Sequence, residues 1–84
     1  MRVEVAEDTA KLRDLDIGDY ATNKRQTILF RVTGPARDPE RYLVRVLGRL
    51  THSDDGYQLG NGVARDSEKA LWKKTTVYPV NVIE

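Results

Sequence analysis

The sequence predicts a mainly β fold: a small SH3-like or OB-like barrel of five to six short antiparallel strands, with one or two short helical turns. Three observations predict it. Two long runs alternate apolar and mixed residues with a period of two. Clusters of Gly, Pro, Asn and Asp break the chain at short intervals. The chain has only 84 residues, and so small a β domain must close or cover its sheet edges.

The strongest elements are residues 27–33 and 41–51. Ile28, Phe30 and Val32 occupy the even positions of the first run, Tyr42, Val44, Val46, Gly48 and Leu50 those of the second. Side chains alternate across a strand, so each run has one apolar and one mixed face. β-branched and aromatic residues on the even face favour strand over helix. Gly34-Pro35-Ala36-Arg37-Asp38-Pro39-Glu40 separates the runs as a turn, and the whole reads as a long antiparallel hairpin. Gly48 within the second run marks a bulge or bend.

The remaining elements are shorter. Arg2–Val5 alternates as a first strand, and residues 8–15 suit a helical turn or two before Gly18. Asp55-Gly56 is a turn pair leading into a strand over 57–59, and Gly60-Asn61-Gly62 is a further turn. Residues 66–73 begin with cap residues and continue with helix formers, which predicts one or two helical turns, a β-hairpin being the other reading. Residues 75–83 are rich in β-formers, and Pro79 places that strand at an edge or cuts it short.

A chain of this size forms one domain, residues 1–84, and buries only about 60–65% of the surface its unfolded form exposes. The core is thin, with no room for a cleft between two layers. Apolar residues make up 39% and charged residues 32%, enough of the former to fold. There are no cysteines, which favours a reducing compartment. The first ten residues lack the apolar stretch of a signal peptide, and nowhere do 18 apolar residues run together. The expected location is cytoplasmic, with no membrane partner.

The net charge of +1 is unevenly spread. The first 19 residues hold six acids (Glu4, Glu7, Asp8, Asp14, Asp16, Asp19) against three bases. Residues 20–49 hold seven bases (Lys24, Arg25, Arg31, Arg37, Arg41, Arg45, Arg49) against Asp38 and Glu40. Nucleic-acid-binding domains usually carry a clear positive excess, which the whole chain lacks. The acidic third is most simply a solvated face.

The opening Leu12-Arg13-Asp14-Leu15-Asp16-Ile17-Gly18-Asp19-Tyr20 resembles a pattern in many small β-barrel proteins, in which a leucine-containing turn and a Gly-Asp pair lead straight into a strand. With the closing Thr76-Val77-Tyr78-Pro79-Val80, it resembles short uncharacterised β-barrel proteins of actinobacterial phages. Nine arginines against five lysines suit a GC-rich genome. The resemblance covers the two ends of the chain and its motifs are structural. It implies a fold and a viral source, and no activity.

No catalytic constellation stands out. His52-Ser53-Asp54-Asp55 contains the residue types of a hydrolase triad, but neighbours in an extended chain diverge whereas a triad converges. These residue types also make turns. One histidine and no cysteine cannot supply a zinc site, and Asp54-Asp55-Gly56 lacks the spaced oxygens of a calcium loop. Gly60-Asn61-Gly62 lacks the third glycine and lysine of a phosphate loop. No cofactor or metal is expected, and the chain reads as a non-enzyme. Trp72 and Tyr78 suit either the core or a partner contact, the core being the simpler use.

The residues that suggest a contact surface are Arg41, Leu43, Arg45, Leu47 and Arg49 on one strand face, joined by Leu29 and Arg31 if the hairpin forms. Arginine beside aliphatic residues suits a protein interface, with a host or viral protein or a second copy as partner. The same arginines with Lys24 and Arg25 suit nucleic acid as the alternative, since alternate residues lie about 6.5–7 Å apart along a strand and guanidinium groups can follow phosphates. A solvated face with salt bridges to the acidic third accounts for them equally simply.

Overall fold

In the computed structural model, which describes residues 2–53, 56–60 and 67–83, the two alternating runs pair as the antiparallel hairpin that their periodicity dictates. Eight strands occur among the described residues: β1 (Arg2–Val5), β2 (Ala10–Lys11), β3 (Tyr20–Thr22), β4 (Ile28–Pro35), β5 (Arg41–Ser53), β6 (Gly56–Gly60), β7 (Ser67–Trp72) and β8 (Thr76–Val82). A single 3-10 turn, Leu12–Asp14, follows β2. The chain is mainly β, as its alternation predicts, but with more strands than expected and with β5 running to 13 residues.

Every pairing is antiparallel, and six of the strands return to their starting point. β1 pairs with β6, β6 with β5, β5 with β4, β4 with β3, β3 with β8, and β8 with β1. Two strands lie outside this cycle. β2 pairs with the start of β8, and β7 pairs with the N-terminal half of β5.

Two apolar clusters form on opposite sides of β4. Phe30 and Val32 join Leu12, Leu15, Ala21, Val44 and Val77, with Tyr42 and Leu71 packed against them. Leu29 joins Val3 and Leu50, with Tyr20, Leu47, Tyr57, Leu59, Val80 and Val82 around them. This second cluster takes a side chain from each of the six strands of the cycle. Leu29 and Phe30 are neighbours, so their side chains leave the strand in opposite directions, and both are buried.

The register of the hairpin shifts twice, between Leu29 and Phe30 and between Val32 and Gly34, which leaves Leu47 and Thr33 as the extra residues. Gly48 lies beside the first shift at φ +156°, as a bend in a long strand requires. A Cβ there would stand 2.8 Å from Leu59 Cδ1 and 3.1 Å from the Gly60 carbonyl oxygen, so β6 crosses β5 at a distance that only glycine permits.

Two expectations are corrected. Residues 67–72 form β7 and not helical turns; Asp66 lies outside the described residues. Six residue pairs with β5, from Arg41↔Trp72 to Val46↔Ser67, override the helix propensity of Glu68-Lys69-Ala70-Leu71. Pro79 neither ends β8 nor marks an outer edge, since β8 continues to Val82 between β3 and β1. Its missing N–H falls where β8 changes partners on one side, residues 76–77 pairing with β2 and residues 80–82 with β1. There the Pro79 carbonyl accepts a hydrogen bond from the Ala6 N–H at 2.9 Å.

Replacing Gly48 by valine should lower stability by about 1–3 kcal/mol, because Leu59 must leave its rotamer and the Gly60 carbonyl cannot move far. Urea denaturation measures this loss, and an unchanged midpoint would show that β6 does not pack on β5 there.

Candidate protein interface

The candidate surface is built by β5 from its odd-numbered residues. In an antiparallel pair, residues directly opposite share a face. Arg41, Leu43 and Arg45 stand opposite Trp72, Ala70 and Glu68 of β7. On its other side, Arg45 stands opposite Arg31 of β4, and Arg31 opposite Tyr20 of β3. A row of side chains, Tyr20–Arg31–Arg45–Glu68, therefore crosses four strands. Two like charges directly opposite repel. The row offsets this at both ends: the Arg31 guanidinium lies 5.4 Å from the centre of the Tyr20 ring, and Arg45 faces the Glu68 position. Arg31 Nε also donates to the Gly18 carbonyl at 3.2 Å, which holds the guanidinium against the β3 side.

The next row is smaller. Leu43 is half-buried between Gly34 and Ala70, neither of which has a side chain long enough to cover it. The last row carries the largest exposed group, Trp72, at 43% exposure. The Arg41 guanidinium lies over its ring at 3.9 Å, and Lys74 Nζ lies 5.8 Å from the ring centre. Arg41 Nε is buried and has no hydrogen-bond partner; the nearest carboxylate oxygen, Asp38 Oδ2, is 3.8 Å away. The stacking, and not a hydrogen bond, positions this arginine.

The expected stripe is thus divided. Arg31, Arg41, Leu43 and Arg45 share one surface. Leu29 does not belong to it: at 0% exposure it lies in the second cluster, because β4 is covered on both faces at that point. Leu47, the extra residue of the bulge, is partly buried against the same cluster. Arg49 is exposed but lies beyond the bulge, opposite Ile28 and Gly60. Lys24 and Arg25 are exposed in the turn between β3 and β4. At roughly 3.3 Å per residue, arginines four positions apart are about 13 Å apart along the strand.

Trp72, Ala70 and Glu68 complete the surface and were hidden by the helix-like composition of their segment. The segment carries no period-two signal, since Glu68, Ala70 and Trp72 on one parity and Lys69 and Leu71 on the other both mix polar and apolar residues. On the other face of β7, Lys69 and Leu71 line a cavity of about 190 Å³ with Asn23, Ile28, Phe30, Val44 and Val46. Its wall is apolar apart from Asn23 and Lys69.

His52 lies in β5 opposite Tyr57, with ring centres 5.0 Å apart, in an ordinary cross-strand aromatic contact. Asp54 and Asp55, and the turn residues Asn61 and Gly62, lie outside the described residues. Among the described residues, no group of three or more His, Cys, Asp or Glu side chains is placed to hold a metal ion. No helix among them is long and apolar enough to cross a membrane. No family model, curated protein or solved structure matches the chain.

The division of the stripe is testable by stability alone. Leu29→Ala should cost about 2–5 kcal/mol, the usual range for a leucine truncated in a core. Leu43→Ala, at a half-exposed site, should cost clearly less. Equal losses in urea denaturation would mean that Leu29 is as exposed as Leu43.

Proposed function

We propose that this chain is a non-enzymatic protein-binding module that contacts a host or viral protein through the outer face of β4, β5 and β7, in the manner of a phage accessory protein. The six-strand cycle supports reading its frame as a small SH3-like or OB-like barrel. The observation that carries the proposal is the Trp72–Arg41 stack beside Leu43. Tryptophan and arginine dominate interface energetics, because both combine a large flat surface with polar edges. Here the stack stands half-exposed next to an aliphatic side chain and two further arginines, Arg31 and Arg45. The Arg41–Trp72 stack and the hydrogen bond from Arg31 to the Gly18 carbonyl already order three of these side chains, so less side-chain entropy is lost when a partner arrives.

The second reading, nucleic-acid binding, is favoured by cations around aromatic rings: Lys74 near Trp72, and Lys73 Nζ 4.8 Å from the centre of the Tyr42 ring. Two features favour protein over it. Arg41 already covers a face of Trp72 at 3.9 Å, a face a stacking base would need. Glu68 interrupts the positive charge on the same surface.

Affinity capture from host lysate, with and without nuclease, separates the readings. Protein capture should survive nuclease treatment and be lost in Arg41→Glu/Arg45→Glu, whereas Arg49→Glu should retain it. Capture abolished by nuclease, or falling steeply with salt as counterion release requires, transfers the assignment to nucleic acid. Capture unaffected by the double substitution removes this face from the function.

A further inference from the structure

We infer that the free edge of β7 is a strand-addition site for an extended acidic segment of the partner protein. This rests on the binding role proposed above and specifies the mode of binding and the chemistry of the partner.

β7 stands apart from the six-strand cycle. Among the described residues it pairs with β5 alone, and none of them pairs with the backbone N–H and C=O groups of its other edge. Such an edge pairs readily with another extended chain, and main-chain bonds supply affinity while flanking side chains supply specificity.

The flanking side chains define which chain fits. On the outer face, an added strand meets Trp72 with Arg41 stacked on it and Lys74 nearby. On the inner face it runs beside Lys69 and Leu71, at the rim of the 190 Å³ cavity walled by Ile28, Phe30, Val44 and Val46. Side chains of an extended chain alternate between these two faces. One set therefore lies beside Trp72 and Lys74, and the other reaches an apolar hollow with a lysine at its side. Lys69 on the strand and Lys73 and Lys74 just after it outnumber Glu68, while Arg41, stacked on Trp72, has Asp38 3.8 Å away, so the complementary segment carries acids with apolar residues at alternate positions.

Lys69 also argues against a second copy as the occupant. An inward-facing lysine on an edge strand resists pairing with its own kind. A two-fold β7–β7 pairing centred on Lys69 would oppose two lysines, and one centred on Ala70 would desolvate Lys69 against Leu71 of the other copy.

The test uses the full chain, isotope-labelled, titrated with three synthetic octapeptides: alternating Val-Glu, alternating Val-Lys, and Val-Glu with every peptide nitrogen methylated. The proposal expects Val-Glu to shift the β7 amides and the Trp72 indole saturably. It expects Lys74→Glu to weaken that binding about tenfold or more, as loss and reversal of one interfacial charge does. Val-Lys and the methylated peptide should not bind. Equal binding by the methylated peptide, or shifts confined to Arg31 and Arg45, would overturn strand addition while leaving the binding face in place. Absence of Val-Glu binding to β7 alongside lysate capture that depends on Arg41 and Arg45 would overturn it too. A β7-mediated dimer in the peptide-free protein, seen by sedimentation, would assign the edge to self-association instead. Circular dichroism of Lys74→Glu, an exposed position, confirms that the variant remains folded.

Discussion

The structure depends on one long strand. β5 runs for 13 residues and serves three partners: β4 along most of its length, β7 over residues 41–46 and β6 over residues 49–53. A strand this long cannot stay flat, because strands twist and a twisted ribbon must bend to pack on both sides. The bulge at Leu47 and the close crossing of β6 at Gly48 provide the bend. N-terminal to it, β5 contributes Val44 to the first apolar cluster; C-terminal to it, Leu50 enters the second. The cycle of six strands and the attached β7 are both consequences of this division.

The division also explains where the surface lies. Only the N-terminal half of β5 has β7 beside it, and β7 supplies Trp72. Arg41 can stack on that ring because residues directly opposite in an antiparallel pair share a face. Beyond the bulge the parity inverts: Gly48 stands opposite Leu29 and Arg49 opposite Ile28, so Arg49 takes the other face of the sheet, where its neighbour on β6 is glycine. Arginines that look equivalent along the sequence therefore occupy different surroundings. The consequence for function is a compact patch at one end of the sheet and not a stripe along it.

The thinness of the core leaves polar side chains to close the turns. A chain of 84 residues spends its apolar side chains on two small clusters, and its polar groups serve turns. Asn23 shows the pattern: its side-chain oxygen accepts hydrogen bonds from the Thr27 and Ile28 N–H groups, and so closes the turn between β3 and β4. Asp19 and Asp38 do the same for the turns that contain Asp16 and Glu40.

What the sequence by itself determined was the local periodicity. Alternation over residues 28–32 and 41–50 placed Phe30, Val32, Val44 and Val46 inside and Arg31 and Arg45 outside, because on a strand the side of each residue follows from its parity. Gly48 was legible as a bend for the same local reason. Parity alone decided less at Leu29, because whether the second face of a strand meets water depends on what packs against it. The strand state of residues 67–72, the position of Pro79 at a change of partner and the arrival of Trp72 beside Arg41 were decided only by tertiary structure. Each depends on pairing between segments distant in the chain, and the stability of a strand resides in its neighbour as much as in its own residues.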